Sequence, residues 1–228
     1  SNPAGLKEAQ QQLLQLQSNA DFIPQCKFIL DNTQQPYAQI LAISSLEVLM
    51  TSFWTNINSE GKIEIRNYIL NYLAARAPSS EDFVINALAK LVCRITKLGW
   101  FDGQEHREIV TDVGNFLNGS VDHHIVGLKV LKALVEEMNI PNSNRTLTLH
   151  RKTAVSFRDH ALFNAFQISV QTLKRVQNKE FQGMPGDKGS KIMLCALQLA
   201  CNCLCFDFIG TNPEESSEDV GTVQVPSA

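Results

Sequence analysis

Arg94-Ile95-Thr96-Lys97-Leu98-Gly99-Trp100-Phe101-Asp102 is the stretch that decides the fold. It reads as the last turn of an amphipathic helix, a glycine stop, and an aromatic hinge opening the next helical unit. Upstream, Leu88, Leu91, Val92, Ile95 and Leu98 recur at helical spacing, so one stripe faces a core. Lys90, Arg94 and Lys97 follow another stripe, and two of them sit near the helix C-terminus, where the macrodipole favours cations. Gly99 is expected to close the helix in the left-handed conformation, which costs a residue without Cβ nothing. Trp100 and Phe101 are expected to be buried between one helix pair and the next.

The same periodicity continues on both sides. Towards the N-terminus, Leu6, Ala9, Leu13 and Leu16 mark a helix after Pro3, and Phe22, Cys26, Ile29 and Leu30 mark a second with Asp21 as N-cap. A third runs from Pro36 to about Trp54. It carries two apolar stripes: Leu41, Ala42, Leu46 and Leu49 on one side, and Ile40, Ile43, Met50 and Trp54 around Glu47 on the other. A helix apolar on two sides suits an element packed against both its hairpin partner and a neighbouring repeat. Ser59 is placed to cap a helix carrying Ile65, Ile69, Tyr72 and Leu73, which Pro78 ends; Ser79 or Ser80 then opens the helix that stops at Gly99.

Towards the C-terminus, helices are expected from about Gln104 to Leu117 and from Val121 to Met138, with the turn signal Asn118-Gly119 between them. Pro141 to Arg145 reads as a loop. Leu162, Phe166, Val170 and Leu173 mark another helix, Gly183 to Gly189 a turn, and Lys191 to Phe206 a last helix. No stretch alternates convincingly at period two, and Thr222-Val223-Gln224-Val225 is too short to form a sheet alone. Paired helices recurring at about 40 to 50 residues match repeats of the HEAT or armadillo sort. The fold expected is therefore all-α: antiparallel helix pairs stacked into a HEAT/armadillo-like superhelix, not a closed bundle around one centre. A polar capping repeat is wanting at the C-terminus and a partner helix before Leu6, so the chain reads as the N-terminal section of a longer solenoid.

Composition narrows the classes of function. The 228 residues carry a net charge of −3, against the strong basic excess of a nucleic-acid binder. No run approaches the roughly 20 apolar residues of a membrane span, and no secretory leader opens the sequence. Four of the six cysteines crowd into Cys195 to Cys205, too close on one helix to pair among themselves. They read as reduced, buried core thiols, and with no second cluster to converge on them they make no zinc site.

Other tempting features have plainer readings. His123 and His124 point about 100° apart on a helix and do not chelate one ion from one face; they read as surface or inter-repeat polar residues. Gly189-Ser190-Lys191 has the phosphate-loop residues in the wrong order and no strand before them. His150-Arg151-Lys152 and Arg158-Asp159-His160 are expected to tie a loop to the following helix. No nucleophile finds a base and an orienting group, so no enzyme is expected, and no metal or cofactor. Glu214-Glu215-Ser216-Ser217-Glu218-Asp219 reads as a solvated acidic loop, with contact to a basic partner or phosphorylation as the functional alternative.

The Gly99 stretch and three further blocks also carry a family resemblance. They are Ile65 to Leu73, His150-Arg151-Lys152 through Ser156-Phe157-Arg158-Asp159, and Asn202 to Thr211, and their order is kept over nearly the whole chain. The chain resembles the N-terminal repeats of the exportin-seven family of nuclear transport receptors, in the importin-β superfamily. The resemblance implies an importin-β N-terminal-like region over 1–75, exportin-like repeats over 76–210 and an acidic connection over 211–228. It implies a shuttling, monomeric receptor that binds the GTPase Ran in its GTP form, protein cargo and nuclear pore proteins, but neither nucleic acid nor membrane.

In that family the second helix of each pair lines the surface where Ran sits. Carried over by helix phase, the implied Ran contacts are Lys7 and Gln11, then Ile40, Ile43 and Glu47, then Asn86, Lys90 and Arg94. Read from the residues alone, the chain reaches only a helical-repeat interaction protein, and a cytosolic scaffold unrelated to transport stays open.

Overall fold

The computed structural model describes residues 19–76, 79–141, 145–182 and 187–207. The expectations for Leu6 to Leu16, Thr222 to Val225 and the acidic run at 214–219 lie outside them. The described residues contain helices and no strand. The chain divides into two compact units, Ser1–Leu98 and Gly99–Ala228.

The first unit holds α1 (Ile23–Asn32), α2 (Pro36–Ser52), α3 (Ser59–Arg76) and α4 (Asp82–Leu98). Three residues link α1 to α2, so the two fold back on each other as a hairpin, and α3 packs on α4 in the same way. The hairpins stack like on like. Lys27 of α1 bonds Glu64 of α3 at 2.7 Å, Asp31 accepts from Tyr68 at 2.8 Å, and the Leu30 carbonyl accepts from Tyr72 at 3.0 Å. Partners advance together along both helices, which makes α1 and α3 parallel. The same holds for α2 and α4, where Tyr37 meets Phe83 and, further along, Glu47 meets Lys90 and Arg94. First helix on first and second on second is the stacking rule of HEAT-like repeats.

One seam of α2 explains its place. Gln39, Ala42, Ile43, Leu46, Leu49 and Met50 are buried at helical spacing, between α1 on one side and α4 on the other. Buried Gln39 donates to the Tyr72 hydroxyl at 3.2 Å, so its amide is not left unpaired in the core.

The second unit holds the short α5 (Gln104–Arg107), α6 (Ile109–Leu117), α7 (Val121–Asn139), α8 (Leu147–Phe157), α9 (Phe163–Gln177) and α10 (Lys188–Leu204). A π-helical turn, Arg158–Leu162, joins α8 to α9 without a break. Trp100 is fully buried; its indole N–H donates to Ser156 at 3.0 Å, and its ring meets the Phe157 edge with centroids 5.8 Å apart. Parallel stacking recurs between α7 and α10. Asp122 pairs with Lys188 at 2.8 Å, Glu136 accepts from Asn202 at 2.9 Å, and Asn139 accepts from the Asp207 N–H at 2.9 Å. Partners lie 66, 66 and 68 residues apart. That exceeds the expected repeat because the run from Leu147 to Gln177 is one long helix.

Several local expectations are corrected. Asn19, not Asp21, caps the first turn, accepting the Asp21 N–H, and Pro24 at the second position of α1 needs no intrahelical partner there. Asn58 stands in for Ser59, accepting the Gly61 N–H at 2.8 Å. Trp54 sits in a separate 3₁₀ turn beyond α2, under the Lys62 ammonium at 4.5 Å from the ring centre. The expected helix from Gln104 breaks at Glu108. Thr146 caps α8 far earlier than expected, so His150-Arg151-Lys152 and Arg158-Asp159-His160 belong to the helix and do not precede it. Arg158 pairs with its neighbour Asp159, and His160 bonds the Ser156 carbonyl one turn back.

Gly99 does not adopt the left-handed conformation. Its lack of Cβ serves the close approach of the His106 ring. Phe101 is exposed while Trp100 alone takes the buried position. Lys97, read as part of a surface stripe, is buried, because from Ile95 to Trp100 every residue is enclosed. In α9 the buried residues are the small Ala165, Ser169 and Thr172, while Phe166 and Val170 are half-buried. Small side chains let the helices approach closely, so the bulky ones are turned aside.

Candidate partner-binding face

Parallel packing of α2 and α4 leaves one side of each helix uncovered. On α2 the open stripe is Tyr37, Leu41, Ser44 and Val48, with Ile40 and Glu47 half-buried along its edge. On α4 it is Phe83, Asn86 and Lys90, with Arg94 half-buried. These positions recur at three and four residues, the spacing of a single helical face.

The face has an apolar end and a charged end. Tyr37 is 83 % exposed and Phe83 45 %, yet their rings lie 6.2 Å apart at a tilted 38°. Aromatic side chains held together in water, with Leu41 beside them on the same stripe, are the composition of an interface anchor. One to three turns further along, Lys90 reaches the Glu47 carboxylate at 3.3 Å and Arg94 reaches the same oxygen at 3.7 Å. Two cations share one carboxylate.

The implied contact residues are sorted by this geometry. Asn86 and Lys90 lie open, and Ile40, Glu47 and Arg94 lie at the edge. Ile43 does not belong: it is 1 % exposed and sits in the α2 core seam between Ala42 and Leu46. Three residues along a helix turn a side chain 60° from the face of Ile40, enough here to carry it inside. Lys7 and Gln11 lie outside the described residues. The spacing of α2 does not single out Tyr37, Leu41 and Val48, because that helix is apolar nearly all round and periodicity does not tell which apolar side meets water.

A second apolar feature lies in the other unit. Phe163, Phe166, Val170 and Leu204 line a groove of ≈ 440 Å³ between α9 and α10, with Lys174 at its edge. His124 is buried, bonding the Leu117 carbonyl at 2.9 Å and the Thr172 hydroxyl at 3.3 Å, and burial holds its pKa below the ordinary value. Of the six cysteines, all free, Cys26, Cys93, Cys195 and Cys203 are buried while Cys201 and Cys205 are exposed, so not all the late thiols are core. Among the described residues no group of three His, Cys, Asp or Glu side chains is arranged to hold a metal, and no helix is long and apolar enough to cross a membrane.

The importin-beta N-terminal domain family matches residues 9–75, which take in α1, α2 and most of α3. Over 225 residues the chain is 39 % identical to Exportin-7-A of Xenopus laevis, covering 97 % of this chain and 20 % of that protein. It is 38 % identical over 224 residues to Ran-binding protein 17 of Homo sapiens, covering 96 % and 20 %. With Ran-binding protein 16 of Drosophila melanogaster the identity is 35 % over 229 residues, covering 97 % and 20 %. The chain spans about a fifth of the length of these relatives.

Proposed function

Because this chain belongs to the exportin-7 family of the importin-β superfamily, we propose that it forms the N-terminal, Ran-binding part of a nuclear export receptor. The observation that carries the reading is similarity along 97 % of the chain to a protein named as an exportin, joined to a long uncovered face on the second helices of two stacked pairs. Ran in its GTP form docks along α2 and α4, with Ile40, Asn86, Lys90 and Arg94 among its contacts and Glu47 as their counter-ion. Lys7 and Gln11 complete the proposed set of Ran contacts. Tyr37 and Phe83 anchor its apolar end.

The receptor carries protein cargo, meets nuclear pore proteins and shuttles between nucleus and cytoplasm as a monomer. It binds and releases, and catalyses nothing. Relatives named as exportins and Ran-binding proteins favour transport over a cytosolic scaffold. The deciding experiment immobilises the chain and offers Ran loaded with GDP or with a non-hydrolysable GTP analogue. Retention of the GTP form alone is expected; equal retention of both, or of neither, sinks the reading.

A further inference from the structure

Between α6 and α7 the chain carries Asn118-Gly119, the single Asn-Gly pair in its 228 residues, and both residues are exposed. Glycine has no Cβ to keep its backbone nitrogen away from the side-chain carbonyl of the residue before it. That nitrogen can attack the asparagine Cγ. A C–N bond forms and closes a five-membered imide, the C–N bond of the side-chain amide breaks, and the amide nitrogen leaves as ammonia with the proton given up by Gly119. Water then opens the ring at one carbonyl or the other. One opening gives aspartate. The other gives isoaspartate, in which the main chain runs through the side chain and is one methylene longer.

The folded turn holds the pair out of this reaction. The Gly119 N–H donates to the Phe116 carbonyl at 3.1 Å, so the attacking nitrogen is engaged. The Asn118 backbone sits at φ −93° and ψ −3°. Closing the ring swings the Gly119 nitrogen to the Cβ side of Asn118, a change in ψ of about 120°, because Cβ and the backbone nitrogen stand that far apart around the Cα–C axis. The turn must open first. The glycine is also fixed by packing: a Cβ on it would stand 3.1 Å from the His123 Cβ and 3.3 Å from the Phe116 carbonyl oxygen. The fit that closes the turn therefore keeps the reactive pair in place.

We propose that Asn118 is a site of spontaneous deamidation gated by opening of the α6–α7 turn, and that the isoaspartyl product does not re-form the turn, so the second unit keeps a covalent record of each productive opening. What borders position 118 sets the consequence. On one side the Leu117 carbonyl meets the His124 ring at 2.9 Å. On the other the Ser120 hydroxyl accepts the His123 N–H at 3.4 Å, and the Ser120 carbonyl accepts the His124 N–H at 2.8 Å. The two helices pack so closely that a Cβ on Gly127 of α7 would lie 3.0 Å from the Leu117 side chain and 3.2 Å from that of Phe116. An extra methylene between these fixed points breaks the bonds on one side or the other. The Asn118 side-chain amide makes none of those bonds, so another polar residue there leaves the turn intact.

The test incubates the chain in mildly alkaline buffer, folded and in denaturing urea, and follows every asparagine by peptide mass spectrometry, with isoaspartate identified by enzymatic methylation. In urea Asn118 is expected to convert before any other asparagine. In the folded protein its conversion is expected to be slower by about tenfold or more, since it waits for a local opening. Ion exchange separates the converted protein by its added negative charge, and the isoaspartyl form is expected to melt at a lower temperature than the unconverted chain. Asn118→Ser is expected to abolish conversion at this turn and to melt as the unaltered chain does. Earlier conversion of a different asparagine in urea overturns the site. Equal rates in the folded and unfolded states overturn the gating, and an isoaspartyl form with an unchanged melt overturns the claim that the turn is lost.

Discussion

His106 lies so close over Gly99 that a Cβ on the glycine would stand 2.5–2.6 Å from three atoms of the imidazole ring. The ring is buried and belongs to the short helix α5, so it has no open space to move into. Gly99→Ala is expected to lower the free energy of unfolding by about 1–3 kcal/mol, the usual cost of overpacking. Urea unfolding followed by circular dichroism checks it. Combining it with His106→Ser should recover part of the loss, which a general dislike of alanine at that turn would not allow.

The Tyr72 hydroxyl donates to the Leu30 carbonyl at 3.0 Å and accepts from Gln39 at 3.2 Å. One buried oxygen thus joins α1, α2 and α3. Tyr72→Phe removes the hydroxyl's bond to the Leu30 carbonyl and one of the two acceptors of the Gln39 amide nitrogen, which keeps the Thr33 carbonyl at 3.3 Å, at a cost of about 1 kcal/mol. A thermal melt unchanged within error would show that the bridge is dispensable.

His124 is buried against Leu117, Thr172 and the Phe181 ring, and desolvation by burial lowers its pKa below 6.5, with Arg175 adding to the effect. The folded state therefore holds the ring neutral where the unfolded chain would bind a proton. Stability from this group is full above pH 6.5, falls as pH drops below it, and levels off once the folded pKa is passed. Comparing His124→Asn with the unaltered chain isolates the effect. The difference in unfolding free energy between the two should change with pH from 7 towards 5 and stay constant above about 7.5.

Tyr37 and Phe83 stand out in solvent, so truncating either to alanine removes little from the folded state, within about 1 kcal/mol. On a docked partner the same truncations should cost about tenfold or more in retention of Ran-GTP. Reversing Lys90 and Arg94 to glutamate should weaken retention as well. Full binding by all four variants would move the interface elsewhere.

The thiols divide by burial. Cys201 and Cys205 are exposed, whereas burial raises the Cys26 pKa and pushes Cys203 up to about 12. Brief alkylation of the native protein followed by mass spectrometry should label Cys201 and Cys205 first, and the four buried cysteines only after denaturation.

How far the chain could be read in advance varies residue by residue. Leu88, Leu91, Val92, Ile95 and Leu98 of α4, and Ile125, Leu128, Leu131 and Val135 of α7, are buried as their spacing requires. There the apolar stripe predicts its own burial, although Lys97 on α4 is enclosed as well. On α2 spacing groups Leu41 with the core residues Ala42, Leu46 and Leu49, yet Leu41 is exposed, and Ile43, a Ran contact implied by the family resemblance, is buried. A helix apolar on several sides carries no internal signal of which side meets water. The continuity of the helix from Leu147 to Gln177 is not legible in the sequence, because the charged residues of His150-Arg151-Lys152 and Arg158-Asp159-His160 interrupt its apolar period.

From residue order alone came the all-α class, the pairing of helices and the family, because helical period and turn chemistry are local properties that survive without knowing what touches what. Which face of α2 remains open, and that Lys90 and Arg94 share the Glu47 carboxylate, came only from the packed structure. Those depend on the rotation of one helix against another, and that rotation is chosen by the fit of side chains from distant parts of the chain.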